Sequence, residues 1–153
     1  GKMTYKDGRI SEGIWKNGNI EYEGELVDGK PHGRGKKFYS NGTYEGDWKN
    51  GLSDGQGTHK WHDGSSYEGE WKDGKKHGRG ISKRPDGSVW YDGDYKDDLW
   101  DGSGIFNYED GDVYTGEWRA GKRHGKGVMN FANQDIYDGE WKDDRIDGKG
   151  TMK

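Results

Sequence analysis

The stretch Tyr67-Glu68-Gly69-Glu70-Trp71-Lys72-Asp73-Gly74-Lys75-Lys76-His77-Gly78-Arg79-Gly80 decides the fold, because its pattern recurs along the chain. The pattern is aromatic-x-Gly-x-aromatic, then a turn with glycine, then Gly-x-Gly. Its central glycines are Gly24, Gly46, Gly69, Gly93, Gly116 and Gly139, spaced by 22, 23, 24, 23 and 23 residues. A fixed period of this length predicts one supersecondary unit stacked on copies of itself.

Two sets of turn signals recur in each period. One set is Asp7-Gly8, Asn41-Gly42, Asp63-Gly64, Asp86-Gly87 and Asp110-Gly111, and the other is Asn17-Gly18, Asp28-Gly29, Asn50-Gly51 and Asp73-Gly74. Both dipeptides favour two-residue hairpin turns, in which the central positions adopt positive φ. We therefore predict an all-β fold: an elongated, single-layer antiparallel meander of consecutive β-hairpins, with about 12 strands at roughly 4.8 Å spacing.

Alternation along a strand assigns side chains to the two faces of this sheet. Tyr67, Gly69 and Trp71 share one face, whereas Glu68 and Glu70 lie on the other. A glycine beside a large ring leaves space for a ring from the next strand. Each cross-strand contact contributes about 0.2–1 kcal/mol, so stability must accumulate over many repeats.

The array is irregular at its N-terminus and in its middle. We predict that residues 1–21 form a shortened repeat or terminal strand and that residues 22–153 form one continuous array, part of a longer protein. Its units start near Tyr22, Tyr44, Tyr67, Tyr91, Tyr114 and Tyr137. Pro85 and one extra residue before Tyr91 interrupt the middle. Proline cannot donate to a sheet ladder, so we expect a bulge or bend there.

Composition restricts the functional classes. The chain has no cysteine, which excludes disulfides and cysteine-based zinc sites. No apolar run approaches the roughly 20 residues of a membrane-spanning helix, and no signal peptide is visible. A formal charge of −4 disfavours a nucleic-acid partner. We expect a cytoplasmic protein without a transmembrane segment.

The full pattern Tyr-x-Gly-x-Trp-x-x-Gly-x-x-x-Gly-x-Gly resembles the MORN repeat. It occurs from Tyr44 to Gly57, from Tyr67 to Gly80 and from Tyr114 to Gly127, and the resemblance covers six units in register over about residues 10 to 150. MORN arrays occur in junctophilins, radial-spoke proteins, parasite cytoskeletal scaffolds and some enzymes. The resemblance implies a rod-like or gently twisted sheet that holds protein partners or sits on anionic membranes, with cytoskeletal or membrane association.

The residue before each Gly-x-Gly alternates between histidine and aspartate. These residues are His32, Asp54, His77, Asp101, His124 and Asp147. Equivalent positions one hairpin apart are separated by about 9–10 Å, whereas zinc ligands approach one ion to about 2.0–2.2 Å. We therefore interpret them as fixing turn backbone, and likewise His59 and His62 as solvated strand residues. We predict no metal, no cofactor and no catalytic residues, hence no enzyme.

The aromatic face is the leading candidate for partner binding, because exposed aromatic patches mark interaction sites. Trp90 and Trp100 are rings that the repeat does not require, and Arg84 replaces an aromatic residue and offers a charge for a partner carboxylate. The predicted groove for a partner peptide, a partner helix or a second copy comprises Tyr44, Trp48, Trp61, Tyr67, Trp71, Arg84, Trp90, Tyr91, Tyr95, Leu99, Trp100, Tyr108, Tyr114 and Trp118.

Two further functions stay open at this point. Basic turns recur at every second hairpin and could bind anionic phospholipid, each cation contributing about 1 kcal/mol near the surface, or could simply form a solvated edge. The residues concerned are Lys30, Arg34, Lys75, Lys76, Arg79, Lys122, Arg123 and Lys126. Alternatively, the array is an accessory module of a larger enzyme.

Overall fold

The computed structural model describes residues 2–4 and 10–153, and every regular element in these residues is a β-strand. The fourteen strands are β1 (Lys2–Thr4), β2 (Ile10–Lys16), β3 (Asn19–Val27), β4 (Lys30–Tyr39), β5 (Gly42–Lys49), β6 (Leu52–Trp61), β7 (Ser66–Lys72), β8 (Lys75–Lys83), β9 (Val89–Lys96), β10 (Leu99–Asn107), β11 (Val113–Arg119), β12 (Lys122–Asn130), β13 (Ile136–Lys142) and β14 (Arg145–Met152).

These strands form one open antiparallel sheet in which spatial order equals sequence order. The predicted all-β meander of hairpins is confirmed. The strand count exceeds the expected 12 because β1 and β2 extend the sheet at its N-terminal side. The predicted turn at Asp7-Gly8 lies outside the described residues.

One edge of the sheet carries the two-residue turns that the sequence predicts, and we call it the short-turn edge. Asp28, Asn50 and Asp73 adopt φ values of 52°, 50° and 50°, and the glycine after each is also left-handed. Successive turns are tied together, since Gly51 N–H donates to Pro31 O at 2.8 Å and Gly74 N–H to Ser53 O at 2.8 Å. The hairpin chemistry of Asn-Gly and Asp-Gly is therefore confirmed on this edge.

The opposite edge has wider turns after β6, β8, β10 and β12, so the two-residue prediction is wrong at Asp63-Gly64, Asp86-Gly87 and Asp110-Gly111. In the turn after β6, Trp61 N–H donates to Ser65 O at 3.0 Å, and Asp63 accepts the Ser65 N–H at 2.8 Å. Aspartate thus acts through its side chain, as in an Asx turn, without adopting positive φ itself. The turns at Asp86-Gly87 and Asp110-Gly111 follow the same scheme. The turn between β4 and β5 does have two residues, but these are Ser40 and Asn41, because Gly42 already pairs with Tyr39 in β5. We call this side of the sheet the wide-turn edge.

A row of twelve glycines crosses the sheet from β3 to β14, each paired with the next. The row is Gly24, Gly35, Gly46, Gly57, Gly69, Gly80, Gly93, Gly104, Gly116, Gly127, Gly139 and Gly150. A tyrosine ring lies across every second member. A Cβ at Gly80 would overlap the Tyr67 ring, whose hydroxyl donates to Glu70 O at 2.9 Å. The tyrosine ring therefore packs directly against the glycine backbone, in space that a side chain would otherwise occupy.

The tyrosines and the residues at the tryptophan position form a continuous zigzag of edge-to-face rings, which we call the ring spine. Its order is Tyr22, Trp48, Tyr44, Trp71, Tyr67, Tyr95, Tyr91, Trp118, Tyr114, Trp141 and Tyr137, with centroids 5.0–5.6 Å apart. Such contacts add about 0.5–1.5 kcal/mol each beyond area burial. The core of this one-layer sheet is thus a line of rings.

The first glycine of each Gly-x-Gly makes room on the other side of the motif. Gly78 has φ 72°, and a Cβ there would overlap the Glu70 carboxylate, which accepts the Arg79 N–H at 2.5 Å. Gly55, Asp47 and Gln56 repeat the arrangement one hairpin earlier, with a 2.9 Å bond. The two glycines of the motif therefore have different tasks, one accommodating a carboxylate and the other a ring.

The bulge predicted near Pro85 is present in the pairing of β8 with β9. Ser82 pairs with Tyr91 and Lys83 with Val89, so Trp90 is the extra residue without a partner across the ladder. A bulge redirects the side chain it carries. Trp90 and Tyr91 consequently both contact Trp100.

Candidate functional site

The predicted groove is built on the ring spine, and eight of its residues belong to that spine. The rings are Tyr44, Tyr67, Tyr91 and Tyr114, which are at most 1% exposed, and Trp48, Trp71, Tyr95 and Trp118, which are at most 9% exposed. Burial also raises the pKa of the four tyrosines. These eight rings therefore offer little surface to a partner and lie beneath the more exposed rings of the same face.

Two groups of less buried rings lie beside the spine toward the wide-turn edge. The first, the Trp61 cluster, consists of Tyr39, His59 and Trp61. His59 stacks against Tyr39 with centroids 5.6 Å apart and lies 4.3 Å from the Trp61 ring. The interpretation of His59 as a solvated residue is wrong, because its register opposite Tyr44 and Tyr67 turns it onto the aromatic face. His62 is exposed, as expected.

His59 is a titratable group within this stack. Burial, and secondarily the nearby Lys76 charge, lower the pKa of the His59 imidazole. Its Nε2 atom is buried and has no hydrogen-bond partner. The imidazole therefore acts mainly as a neutral ring in the stack.

Two cations from the basic turns lie on the aromatic face, contrary to the predicted lipid edge. Lys76 Nζ lies 5.2 Å from the Trp61 centroid and 5.3 Å from that of Tyr67, and burial lowers its pKa. The Arg123 guanidinium lies 4.7 Å from the Trp141 ring centroid and 5.8 Å from that of Tyr108. Such contacts stabilise the cation over the ring face.

The position that supplies these cations is the residue paired with the tryptophan position of each hairpin. Its occupants are Pro31, Ser53, Lys76, Trp100, Arg123 and Ile146. Simple alternation of side chains along the strands does not predict this placement. A register shift precedes each of these pairs and changes the face on which the following side chain lies. At the fourth hairpin an indole, Trp100, stands where the third and fifth carry a cation.

The second group, the Trp90 cluster, consists of Trp90, Trp100, Phe106 and Tyr108. Trp100 stacks on the buried Tyr91 at 5.2 Å and contacts Phe106 at 5.0 Å. Phe106 lies 6.2 Å from Trp90 and 4.5 Å from Tyr108. Trp90 is 40% exposed, so this cluster offers aromatic surface to solvent. Phe106 was missed in the sequence, although it occupies the position of His59 two hairpins earlier.

Arg84 lies beside the Trp90 cluster, and the structure corrects its expected role. Its side chain is only 15% exposed. The guanidinium donates to Val89 O at 3.5 Å and to Asn107 O, and lies 3.8 Å from Glu109 Oε1. Arg84 thus fastens the bulged strand β9 to β10 and is not a free handle for a partner carboxylate.

The remaining basic residues divide between the outer face and the short-turn edge. Arg34 pairs with Asp47 at 3.0 Å, and Arg79 with Asp94 at 3.4 Å, so their charges are partly neutralised. Lys30, Lys75, Lys122 and Lys126 are exposed. Leu52 and Leu99 occupy the strand starts between those of the first three lysines, and both are about half exposed. The short-turn edge thus alternates lysine with leucine.

Three of the six histidines and aspartates before Gly-x-Gly bond to neighbouring turns, whereas the Nδ1 atom of His124 is buried without a hydrogen-bond partner. His32 Nδ1 accepts the Asn50 N–H at 3.3 Å, Asp54 accepts the Asp73 N–H at 3.3 Å, and Asp101 accepts the Ala120 N–H at 3.1 Å. Their interpretation as residues that fix turn backbone is confirmed at these three sites. Within residues 2–4 and 10–153, no three histidine, cysteine or acidic side chains are grouped to hold a metal ion.

Consecutive hairpins with one repeated aromatic and glycine motif define a repeat protein whose units stack along a single axis. The model of the MORN repeat matches residues 22–43, 44–66, 67–89, 91–113, 114–136 and 137–153. The chain belongs to the MORN-repeat family, as the resemblance implied. MORN repeats are generally non-enzymatic modules that bind proteins or membranes. In the part of the chain that the structure describes, no helix could span a membrane.

Proposed function

We propose that the protein is a non-enzymatic scaffold or adaptor that holds a protein partner, or a second copy of itself, against the aromatic face. The carrying observation is that two groups of accessible rings, the Trp61 and Trp90 clusters, lie on a spine of buried rings. Aromatic residues at the centre of interfaces contribute much of their binding energy. Trp90 and Tyr39 are each 40% exposed.

The rigidity of the support favours this function. Trp71 Nε1 donates to Gly57 O at 3.1 Å and Trp118 Nε1 to Gly104 O at 3.2 Å, so the indoles beneath the surface are held in place. A preorganised surface loses little conformational entropy when a partner docks. The clusters are therefore suited to binding without rearrangement.

Strand spacing sets the dimensions of the partner segment. Trp61 lies on β6 and Tyr108 directly follows β10, four strand steps away, or about 19 Å at roughly 4.8 Å each. An α-helix covers this distance with about 13 residues at 1.5 Å per residue. An extended peptide needs about six residues at roughly 3.3 Å each. We propose a helix or peptide of this length lying across the strands.

Affinity capture with matched tryptophan variants tests the proposal. We expect the amount of captured partner to fall at least about tenfold in Trp61→Ala and in Trp90→Ala, because each substitution removes an accessible aromatic ring. Trp15→Ala is the control, since Trp15 is 56% exposed and lies on β2, far from both clusters. Light scattering on the same proteins detects self-association. Equal capture by all variants would exclude the aromatic face as the binding surface.

The alternation along the short-turn edge supports a second candidate, peripheral binding to anionic membranes. Lys30, Lys75 and Lys122 would contact phosphate groups while Leu52 and Leu99 enter the interface. Flotation with vesicles containing phosphatidylserine at ~0.15 M salt tests it, a condition that screens weak surface charge. We expect Lys75→Glu with Lys122→Glu to abolish flotation. The matched control is Lys60→Glu with Lys83→Glu, which changes the charge equally at exposed positions near the other ends of β6 and β8 and should still bind. No flotation of the wild type would remove this candidate.

A further inference from the structure

A cavity of about 590 Å³ opens at the wide-turn edge beside the Trp90 cluster. It spans three consecutive wide turns, those after β6, β8 and β10. Its apolar lining comes from Trp90, Phe106, Tyr108 and Pro85. The bulge creates this cavity, because it brings Trp90 onto the face of Phe106.

Carboxylates surround the aromatic lining. Asp63, Glu109 and Asp110 line the same cavity, and Arg84 is the one basic residue among its lining residues in the described chain. The guanidinium of Arg84 is bonded to the carbonyls of Val89 and Asn107, and its approach to Glu109 is long, at 3.8 Å. The three carboxylates and the one guanidinium that line the cavity therefore give it a net formal charge of −2.

On the same aromatic face, other rings of the chain are in contact with cationic side chains. Lys76 lies over Trp61 and Tyr67, and Arg123 over Trp141, so the chain places its own cations against its aromatic residues on both sides of the fourth hairpin. That hairpin has Trp100 at the equivalent position. None of the cation–π contacts among residues 10–153 involves Trp90 or Phe106. The cavity therefore combines negative charge with two rings, Trp90 and Phe106, over which no cation of the described chain lies. Its third ring, Tyr108, already has the Arg123 guanidinium 5.8 Å from its centroid.

We infer that this cavity binds the basic side chain, arginine or lysine, of a partner polypeptide. The cationic group lies against Trp90 and Phe106, and Glu109 and Asp110 compensate its charge. Aromatic rings attract cations through their quadrupole, and desolvation strengthens the attraction. This inference rests on the proposed protein-binding function and adds the chemistry of the recognised residue.

The test is a titration of the intact protein with blocked pentapeptides that carry a central arginine or lysine between glycine and serine residues. Matched peptides carry citrulline or norleucine, which keep the shape without the charge. The indole N–H signal of Trp90 is followed by NMR and assigned with Trp90→Phe. We expect the basic peptides to shift it with a Kd on the order of 1 mM, and the neutral peptides to bind at least about tenfold more weakly. Raising the salt weakens binding because it screens the charges.

Variants separate the contributions of ring and charge. Binding of the arginine peptide to the variants is measured from the NMR signals of the Tyr108 ring. We expect Trp90→Ala to weaken this binding at least about tenfold and Glu109→Gln to weaken it about threefold. Trp15→Ala and Glu45→Gln, both at exposed positions away from the cavity, leave it unchanged. Equal binding of the norleucine peptide, or no shift with any basic peptide, overturns the inference. If partner capture still depends on Trp61 in that case, the proposed function survives and only the cationic site is lost.

Discussion

The hairpin from Tyr67 to Gly80 and the hairpin from Tyr91 to Gly104 use the same spine but present different surfaces. In both, a buried tyrosine lies across a glycine and donates to a backbone carbonyl three residues on, at 2.9 and 2.8 Å. The first has Trp71 bonded to Gly57 O, whereas the second has Tyr95 bonded to the Ser82 hydroxyl. Only the second carries a bulge beside its tyrosine.

This difference teaches which positions hold the sheet and which shape its surface. Tyrosine, glycine and the carboxylate after the central glycine recur with the same contacts in each unit. The residue paired with the tryptophan position and the residue opposite the tyrosine differ from one hairpin to the next, as with Lys76 and Trp100 or Ser82 and Phe106. Binding chemistry can therefore vary while the spine stays constant.

The largest expected effect on stability comes from placing a side chain on the glycine beneath the Tyr67 ring, in the hairpin from Tyr67 to Gly80. Gly80→Ala places a methyl group against the Tyr67 ring, which its hydrogen bond to Glu70 O prevents from moving away. We expect a loss of about 3 kcal/mol in the free energy of unfolding, as for overpacking. The measurement is urea denaturation followed by circular dichroism.

Gly87→Ala is the matched control in the irregular turn. A Cβ there meets nothing within 4 Å, but φ is 87°, so only the left-handed conformation costs free energy, about 1 kcal/mol. Equal losses for the two variants would show that the contact with the Tyr67 ring does not matter.

The second prediction concerns the replacement of tryptophan by Tyr95. Tyr95→Phe leaves the Ser82 hydroxyl buried without its partner, so we expect a loss of about 1–3 kcal/mol. Adding Ser82→Ala should recover part of it, because both polar groups are then absent. Denaturation of the two single variants and the double variant measures the coupling. Additive losses would mean that this hydrogen bond does not compensate for the missing indole.

A smaller effect distinguishes His59 from Phe106, which occupies its position at the fourth hairpin. Burial holds the pKa of folded His59 below its unfolded value of about 6.5. Below that value the unfolded chain binds the additional proton, so stability is full above about pH 6.5 and falls on acidification. His59→Phe should flatten the dependence of the denaturation midpoint between pH 7 and pH 5. An unchanged slope in the variant would place the titrating group elsewhere.

The smallest effect on stability is expected from deleting Trp90. The deletion removes the unpaired residue and restores the regular spacing, and it sacrifices only a ring that is 40% exposed. We expect the free energy of unfolding to change by less than about 1 kcal/mol, with an unchanged circular dichroism spectrum. A loss above about 2 kcal/mol would show that the bulge also supports the sheet.

The sequence predicts the fold well because its signals are local and repeated. Asn50-Gly51 and Asp73-Gly74 specify their turns directly, and the spacing of the glycines sets the register of the hairpins. It predicts the surface less well, because a register shift beside each tryptophan changes the face of the following residues. Lys76 and Arg123 therefore looked like edge cations. Arg84 looked free because its carbonyl partners Val89 and Asn107 come from other strands.

The strict sequential order of the strands has a consequence for the reach of the molecule. Each strand pairs only with the one before and the one after it, so an added hairpin would lengthen the array by about 10 Å without altering its interior. The distance between two docking points is then a whole number of strand steps. Duplication of a hairpin can therefore change the length of such a protein in evolution without any change to its other units.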